Sequence, residues 1–282
     1  MKARIIIVLC ITASVTFAHP GIGLVEDSKG NIFYTDLARV WKISPDGKKS
    51  VAVSNVHTHE LYLDDNDNLY GEHLWYNDGQ PGKWGHYAWK YTPDGKFQKV
   101  IPDTEGFLTD YSFVRDHFGR MYWTDRTTEC QHLVRKNRDN TATVLGDKCL
   151  GDVRWMTSTT DGMIYLVDRQ DLKSVDTQGK VTTLAKSIPD RKLSQAMVNE
   201  QHYLGAVTLD SNNNIYVADF SGRVVNRIAR DGTKTVIYET SIPWSPIALV
   251  VAKNGDYLVL ETSLTNNVRV ERITRDKKTT VY

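Results

Sequence analysis

Six times along its 282 residues the chain repeats one short phrase. A turn rich in Asp, Asn or Gly leads to an anchor residue, usually an aromatic follows, and an acid stands four places past the anchor. The first copy reads Gly30-Asn31-Ile32-Phe33-Tyr34-Thr35-Asp36 and the fifth Asn213-Asn214-Ile215-Tyr216-Val217-Ala218-Asp219. Anchors stand at Ile32, Leu69, Met121, Ile164, Ile215 and Tyr257. A second turn follows each copy: Pro45-Asp46-Gly47-Lys48, Pro93-Asp94-Gly95-Lys96, Arg138-Asp139-Asn140, Thr177-Gln178-Gly179-Lys180, Arg230-Asp231-Gly232-Thr233 and Arg275-Asp276-Lys277-Lys278. Gly or Asn in such turns supplies the positive φ of a tight hairpin. Another short apolar run precedes each anchor, so each unit holds four short antiparallel strands, A to D.

Four strands in roughly 44 residues are the mark of a β-propeller blade. The fold class is therefore all-β, a six-bladed propeller. Blade 1 is expected to begin with its own strand A and blade 6 to end with its own strand D, so the ring closes by packing alone. These phrases resemble the NHL-repeat family and the wider six-bladed group of gluconolactonase-like and strictosidine-synthase-like proteins. The resemblance covers the whole chain after its leader and implies the fold; propellers host binders, hydrolases, lyases and isomerases alike.

Residues 1–18 read as a signal peptide: a basic start, an apolar stretch Ile5 to Val15 too short to span a bilayer, and small residues before a cut after Ala18. That leaves residues 19–282 as one propeller domain, secreted or periplasmic, with no membrane insertion. A formal charge of +1 excludes nucleic acid as the main partner. With Cys10 removed, Cys130 and Cys149 remain, and an oxidising compartment suggests that they pair.

Histidines gather on the rim that carries the D-to-A and B-to-C connections. His19, His57, His59 and His202 fall at or just before strand A starts; His73 ends a strand B; His86 and His132 fall where strand C begins. Only His117 belongs to the opposite rim. His73 also replaces the acid that the other blades carry as Asp36, Asp125, Asp168, Asp219 or Glu261. The acids themselves read as architectural, bonding loop amides. The two longest connections, Leu74 to His86 and Ala185 to Tyr203, open on the histidine rim.

Ten residues before each anchor lies the channel mouth of strand A, and blades 2, 3 and 4 place His59, Tyr111 and Arg154 there. Such a cluster suits general acid–base work, with Arg154 holding an anionic group. His57 and His59, at i and i+2, are expected to share a face and chelate one ion. His73, His202 and His19, the last with its free α-amine, are the further candidate ligands. Histidine ligation favours zinc or copper over calcium.

The gluconolactonase-like resemblance implies a divalent cation on Glu, Asn and Asp at strand A starts, and only Asp110 fits that pattern. The resemblance to the peptidylglycine amidating lyase core implies zinc-binding histidines beside Tyr and Arg; His59, Tyr111 and Arg154 are similar in type. The chain thus reads as a metal-dependent lyase or hydrolase for a small or glycan-like anionic substrate, bound near Trp75, Tyr76, Trp84, His86 and Asp110. The alternative is a binding module for a glycan or protein, with Trp75, Tyr76, Trp84 and Tyr87 as an aromatic platform. No zincin helix motif, nucleophile elbow, phosphate loop or dinucleotide fingerprint occurs.

Overall fold

The computed structural model describes residues 21–77, 79–80, 82–108, 110–125, 130–190, 203–263 and 265–282. Its strands form six separate antiparallel sheets, each in sequential order. Blade 1 is β1–β4 (Leu24–Glu26, Ile32–Thr35, Arg39–Ile43, Lys49–Ser54), and blade 2 is β5–β8 (Leu61–Leu63, Leu69–Tyr76, Trp84–Tyr91, Phe97–Glu105). Blade 3 holds β9–β11 (Met121–Asp125, Gln131–Lys136, Ala142–Leu150), and blade 4 β12–β15 (Val153–Ser158, Ile164–Asp168, Asp171–Val175, Val181–Ala185). Blade 5 is β16–β19 (Leu204–Leu209, Ile215–Asp219, Val224–Ile228, Lys234–Glu239), and blade 6 β20–β23 (Trp244–Val251, Tyr257–Ser263, Val268–Ile273, Thr279–Val281). This is the expected six-bladed propeller. Among the described residues no helix is long and apolar enough to cross a membrane.

The fourth, inner strand of blade 3 is reduced to a stub. Residues 112–115 touch β9 through one bridge, Arg115 to Met121, and the Tyr122 N–H donates to the Val114 carbonyl at 3.1 Å. Ser112 Oγ takes the Val114 amide at 3.0 Å, so the backbone here bonds locally instead of extending the ladder.

The turn pattern is realised in all six blades. The A-to-B turns carry positive φ at Gly30, Asp67, Gly119, Gly162, Asn213 and Gly255; the C-to-D turns carry it at Gly47, Gly95, Asn140, Gly179, Gly232 and Lys277. An acid opens several A-to-B turns and ties them shut. Asp64 accepts the amides of Asn66 and Asn68 and the Tyr70 hydroxyl, and Asp210 does the same for Asn212, Asn214 and Tyr216.

Buried apolar clusters fill the seams between blades. Phe33, Val40 and Val53 meet Leu69 and Trp89 between blades 1 and 2. Similar clusters join blades 3 and 4, 4 and 5, and 5 and 6. The ring closes as expected, without a shared strand: Leu24, Ile32, Tyr34 and Ile43 of blade 1 pack on Ile247, Leu258, Leu260 and Val270 of blade 6. Among the described residues the seam between blades 2 and 3 has no such cluster; Tyr62, Tyr70, Tyr111 and Arg115 face one another there.

Candidate functional site

Blade 2 is built around a glycine. A Cβ on Gly71 would meet the Trp89 ring at 2.3 Å, so only glycine lets the indole lie flat across β6. Trp89 is fully buried, and its Nε1 donates to the Glu72 carbonyl at 2.8 Å. That carbonyl also takes the Thr58 hydroxyl at 2.6 Å, while the Thr58 carbonyl takes the Thr35 hydroxyl at 2.7 Å. Residues 57–59 are thereby strapped to β6 and β2 just ahead of β5. The strap is irregular backbone rather than strand, yet it sets His57 and His59 side by side, ring centroids 4.8 Å apart.

Each histidine is bonded differently. The His57 amide donates to His73 Nδ1 at 2.9 Å, and the His57 carbonyl takes the Leu74 amide. The His59 amide donates to Glu72 Oε1, and His59 Nδ1 lies 3.2 Å from the same oxygen. The other oxygen, Oε2, is buried without a hydrogen-bond partner. Burial first, then the neighbouring His59, hold the His57 imidazole below its usual pKa. Burial and Lys99 do the same to His73, which stacks on Tyr87 at 4.8 Å.

Across the seam, Tyr111 and Tyr62 bracket the Arg115 guanidinium, 5.3 and 5.4 Å from their ring centroids. Burial raises the Tyr111 pKa above its usual value; Arg115 opposes the rise and Glu72 reinforces it, so the two halves of the cluster sense each other. Arg115 also lines the central channel, about 230 Å³, with Glu60, Tyr62, Phe113 and Ser158.

Several expected site residues lie elsewhere. Arg154 pairs at 3.0 Å with Asp152, just ahead of its own strand, and the guanidinium beside Tyr111 is Arg115. The Asp110 side chain is 69% exposed and faces Lys136 at 4.0 Å. His86 is buried; its Nδ1 donates to the Gly106 carbonyl at 2.7 Å. His19 and His202 lie outside the described residues, as does the signal-peptide reading.

The expected long connection in blade 2 is mostly a β-ribbon, since β6 and β7 stay paired out to Tyr76 and Trp84. Register places Tyr76 and Trp84 on one face of the ribbon and Trp75 and Tyr87 on the other. The four aromatics are therefore not one platform. Tyr76 is 64% exposed, and Trp84 packs edge-on against Phe107, itself 62% exposed.

The regular acids do bond loop amides. Asp36 takes the amides of Ala38 and Arg39, Asp168 those of Gly151 and Asp152, and Asp219 those of Asp190 and Gly222. Glu261 instead holds Arg269 and the Tyr238 hydroxyl. Sequence reasoning missed Glu72 and Arg115. Glu72 adjoins the aberrant His73, and Arg115 follows Tyr111 by four residues; neither spacing is a recognisable motif. The paired cysteines are joined as expected, with Cα atoms 4.9 Å apart.

Among the described residues no three His, Cys, Asp or Glu side chains gather in a set that could hold a metal ion. His57 and His59 alone make half of a four-coordinate site. His73 contributes poorly, because the nitrogen that accepts the His57 amide must stay bare and the neutral ring then carries its proton on Nε2. The described donor set does not fit zinc or copper by itself.

No protein-family model matches the chain, and no curated protein sequence does. Solved structures do. A gluconolactonase from Xanthomonas campestris is 11% identical with a TM-score of 0.58, over 88% of this chain and 84% of that one. A catalytically inactive histidine-to-alanine variant of virginiamycin B lyase from Staphylococcus aureus, with quinupristin, is 14% identical with a TM-score of 0.53, over 94% and 84%. The calcium-binding protein regucalcin from Agrobacterium tumefaciens is 14% identical with a TM-score of 0.54, over 86% and 81%.

Proposed function

From the premise that this chain is a six-bladed propeller similar in fold to a gluconolactonase, we propose that it is an exported hydrolase or lyase acting on a small anionic molecule. One observation carries the reading: among the described residues the seam between blades 2 and 3 has no apolar cluster and holds a histidine on a buried carboxylate opposite a tyrosine–arginine pair. A carboxylate on Nδ1 fixes the His59 ring and its tautomer, which makes Nε2 the atom that takes or gives a proton. Tyr111, raised by burial, stays protonated and can donate to an oxygen on which charge develops. Arg115 supplies a fixed cation for the anionic group of the substrate. The lyase of this fold whose histidine-to-alanine variant is catalytically inactive, and the gluconolactonase likeness, support a reading in which a histidine does the work. The disulfide supports an oxidising compartment. No step of this reading uses a metal; zinc or copper on His57 and His59, completed by His19 or His202, is a separate proposal that metal analysis of the purified protein decides.

The test is turnover of a panel of lactones, including gluconolactone, and of quinupristin. His59→Ala should lower kcat by about 10²–10⁴, the usual worth of general acid–base catalysis, with melting nearly unchanged. Glu72→Gln should lower it less and move the pH–rate profile, which a merely structural carboxylate would not do. A fully active His59→Ala would overturn the proposal. The exposed Tyr76, Trp84 and Phe107 favour a second reading, a glycan-binding module. Glycan binding that survives His59→Ala but not Trp84→Ala, with no turnover of any substrate, would establish it.

A further inference from the structure

We infer that the Cys130–Cys149 disulfide is a thiol-exchange site, where a small thiol attacks Cys149 and Cys130 departs under a hydrogen bond from His132. The site lies on blade 3 and is independent of the function proposed above.

The two sulfurs sit in unlike surroundings. Cys149 is exposed on β11 and lines a cleft of about 610 Å³ with Asp168, Arg169, Asp171 and Ser187. Cys130 is half-buried, and its Sγ lies 3.0 Å from His132 Nε2. A disulfide sulfur carries no proton, so the contact is a hydrogen bond only when Nε2 bears one. The other ring nitrogen agrees: His132 Nδ1 is buried with no hydrogen-bond partner, which suits a bare lone pair better than an N–H. The imidazole thus aims its proton at Cys130.

Both asymmetries favour one direction of exchange. The incoming thiolate attacks the accessible sulfur and forms a new S–S bond to Cys149 Sγ. The old S–S bond breaks, and its electron pair goes to Cys130 Sγ, which leaves as a thiolate. His132 Nε2–H then faces full negative charge rather than a neutral sulfur, and such a bond is roughly twice as strong. A second thiolate attacking the small-thiol sulfur of the mixed disulfide forms the external disulfide and releases Cys149 as a thiolate; reattack by Cys130 on Cys149 instead expels the first thiol as its thiolate and restores the bridge. The thiol is the reductant, and no metal or cofactor takes part. The cleft is balanced in charge toward the incoming anion: Lys173 and the amides of Gly151 and Asp152 engage Asp168, and the exposed Arg169 stands against Asp171, which takes the Ser187 amide.

The cross-link is also not what holds its strands together. Four residue pairs, from Leu133 with Leu145 to Lys136 with Ala142, already register β10 on β11. The bond crosses the end of this ladder, beyond the register shift at Gln131. Opening it leaves the hairpin paired.

The experiment incubates the folded protein with graded reduced glutathione, traps free thiols by alkylation and maps both cysteines by mass spectrometry. The expected product carries glutathione on Cys149 and the alkyl label on Cys130. His132→Leu should slow opening about tenfold or more, the worth of a hydrogen bond to a charged group, without changing the melting of the oxidised protein. His132→Gln, which keeps an N–H, should recover part of the rate. Glutathione on Cys130, equal rates with and without His132, or a folded bridge that resists concentrations opening it in the denatured chain would each overturn the inference. The adduct map on the unaltered protein decides the direction of attack even if His132→Leu does not fold.

Discussion

His73 stands where the other blades carry an acid, and it has kept their task. Its Nδ1 accepts the His57 amide as the Asp168 carboxylate accepts those of Gly151 and Asp152. The exchange makes one strap of the ring sensitive to acid. In the unfolded chain a histidine takes its proton near pH 6.5, whereas burial and Lys99 hold folded His73 below that value, and burial holds His57 below it too. Between the folded and unfolded pKa values the unfolded state binds more protons, so stability falls as pH drops. The contribution is complete above about pH 6.5 and is lost as pH falls through the folded value. His73→Asn keeps an acceptor but does not titrate. It should melt like the parent at about pH 8 and lose less stability on acidification, which thermal melts across the range will show.

At the scale of the element, the hairpin turns are the most uniform feature and include one mismatch. Lys277 holds φ of 63° at the C-to-D turn of blade 6, where four other blades use glycine. An L side chain there costs roughly 1–2 kcal/mol, partly offset by the entropy a glycine loses on folding. Lys277→Gly should therefore stabilise by up to about 1 kcal/mol in denaturant unfolding. These turns and anchors were legible in the sequence because hairpin chemistry is local: a turn residue with positive φ announces itself within four positions. The site was only half legible. His59 and Tyr111 were found by counting from anchors, and His57 by its two-residue offset from His59, because the repeat fixes where each connection meets its blade even where the backbone there is irregular. The same count offered Arg154, but Ser112 bends the inner stub of blade 3 and brings Arg115 to Tyr111 instead. Glu72 was invisible because its role depends on a strap thirteen residues earlier folding back onto it. The ribbon aromatics were misgrouped for a simpler reason: alternation along β6 and β7 splits them between two faces.

At the scale of the whole molecule, five seams are held by apolar clusters and the sixth by tyrosines and a guanidinium. The stability of the ring and its proposed chemistry are thus assigned to different seams, so replacing His59 or Arg115 is expected to leave the fold in place. Closure between blades 6 and 1 follows the same rule as every other apolar seam. Each of those two blades is complete in itself, and the step from β23 to β1 repeats the outer-to-inner step that links β4 to β5 through six intervening residues. Which blade is spelled out first is therefore not part of what the ring needs. A circularly permuted gene, with Tyr282 joined to Gly21 by a linker of about two residues so that six again separate β23 from β1, and the chain opened between blades 4 and 5, should give a protein with the parent's circular dichroism and a single melting transition. An insoluble or molten permutant would show that the ring depends on where its chain is cut.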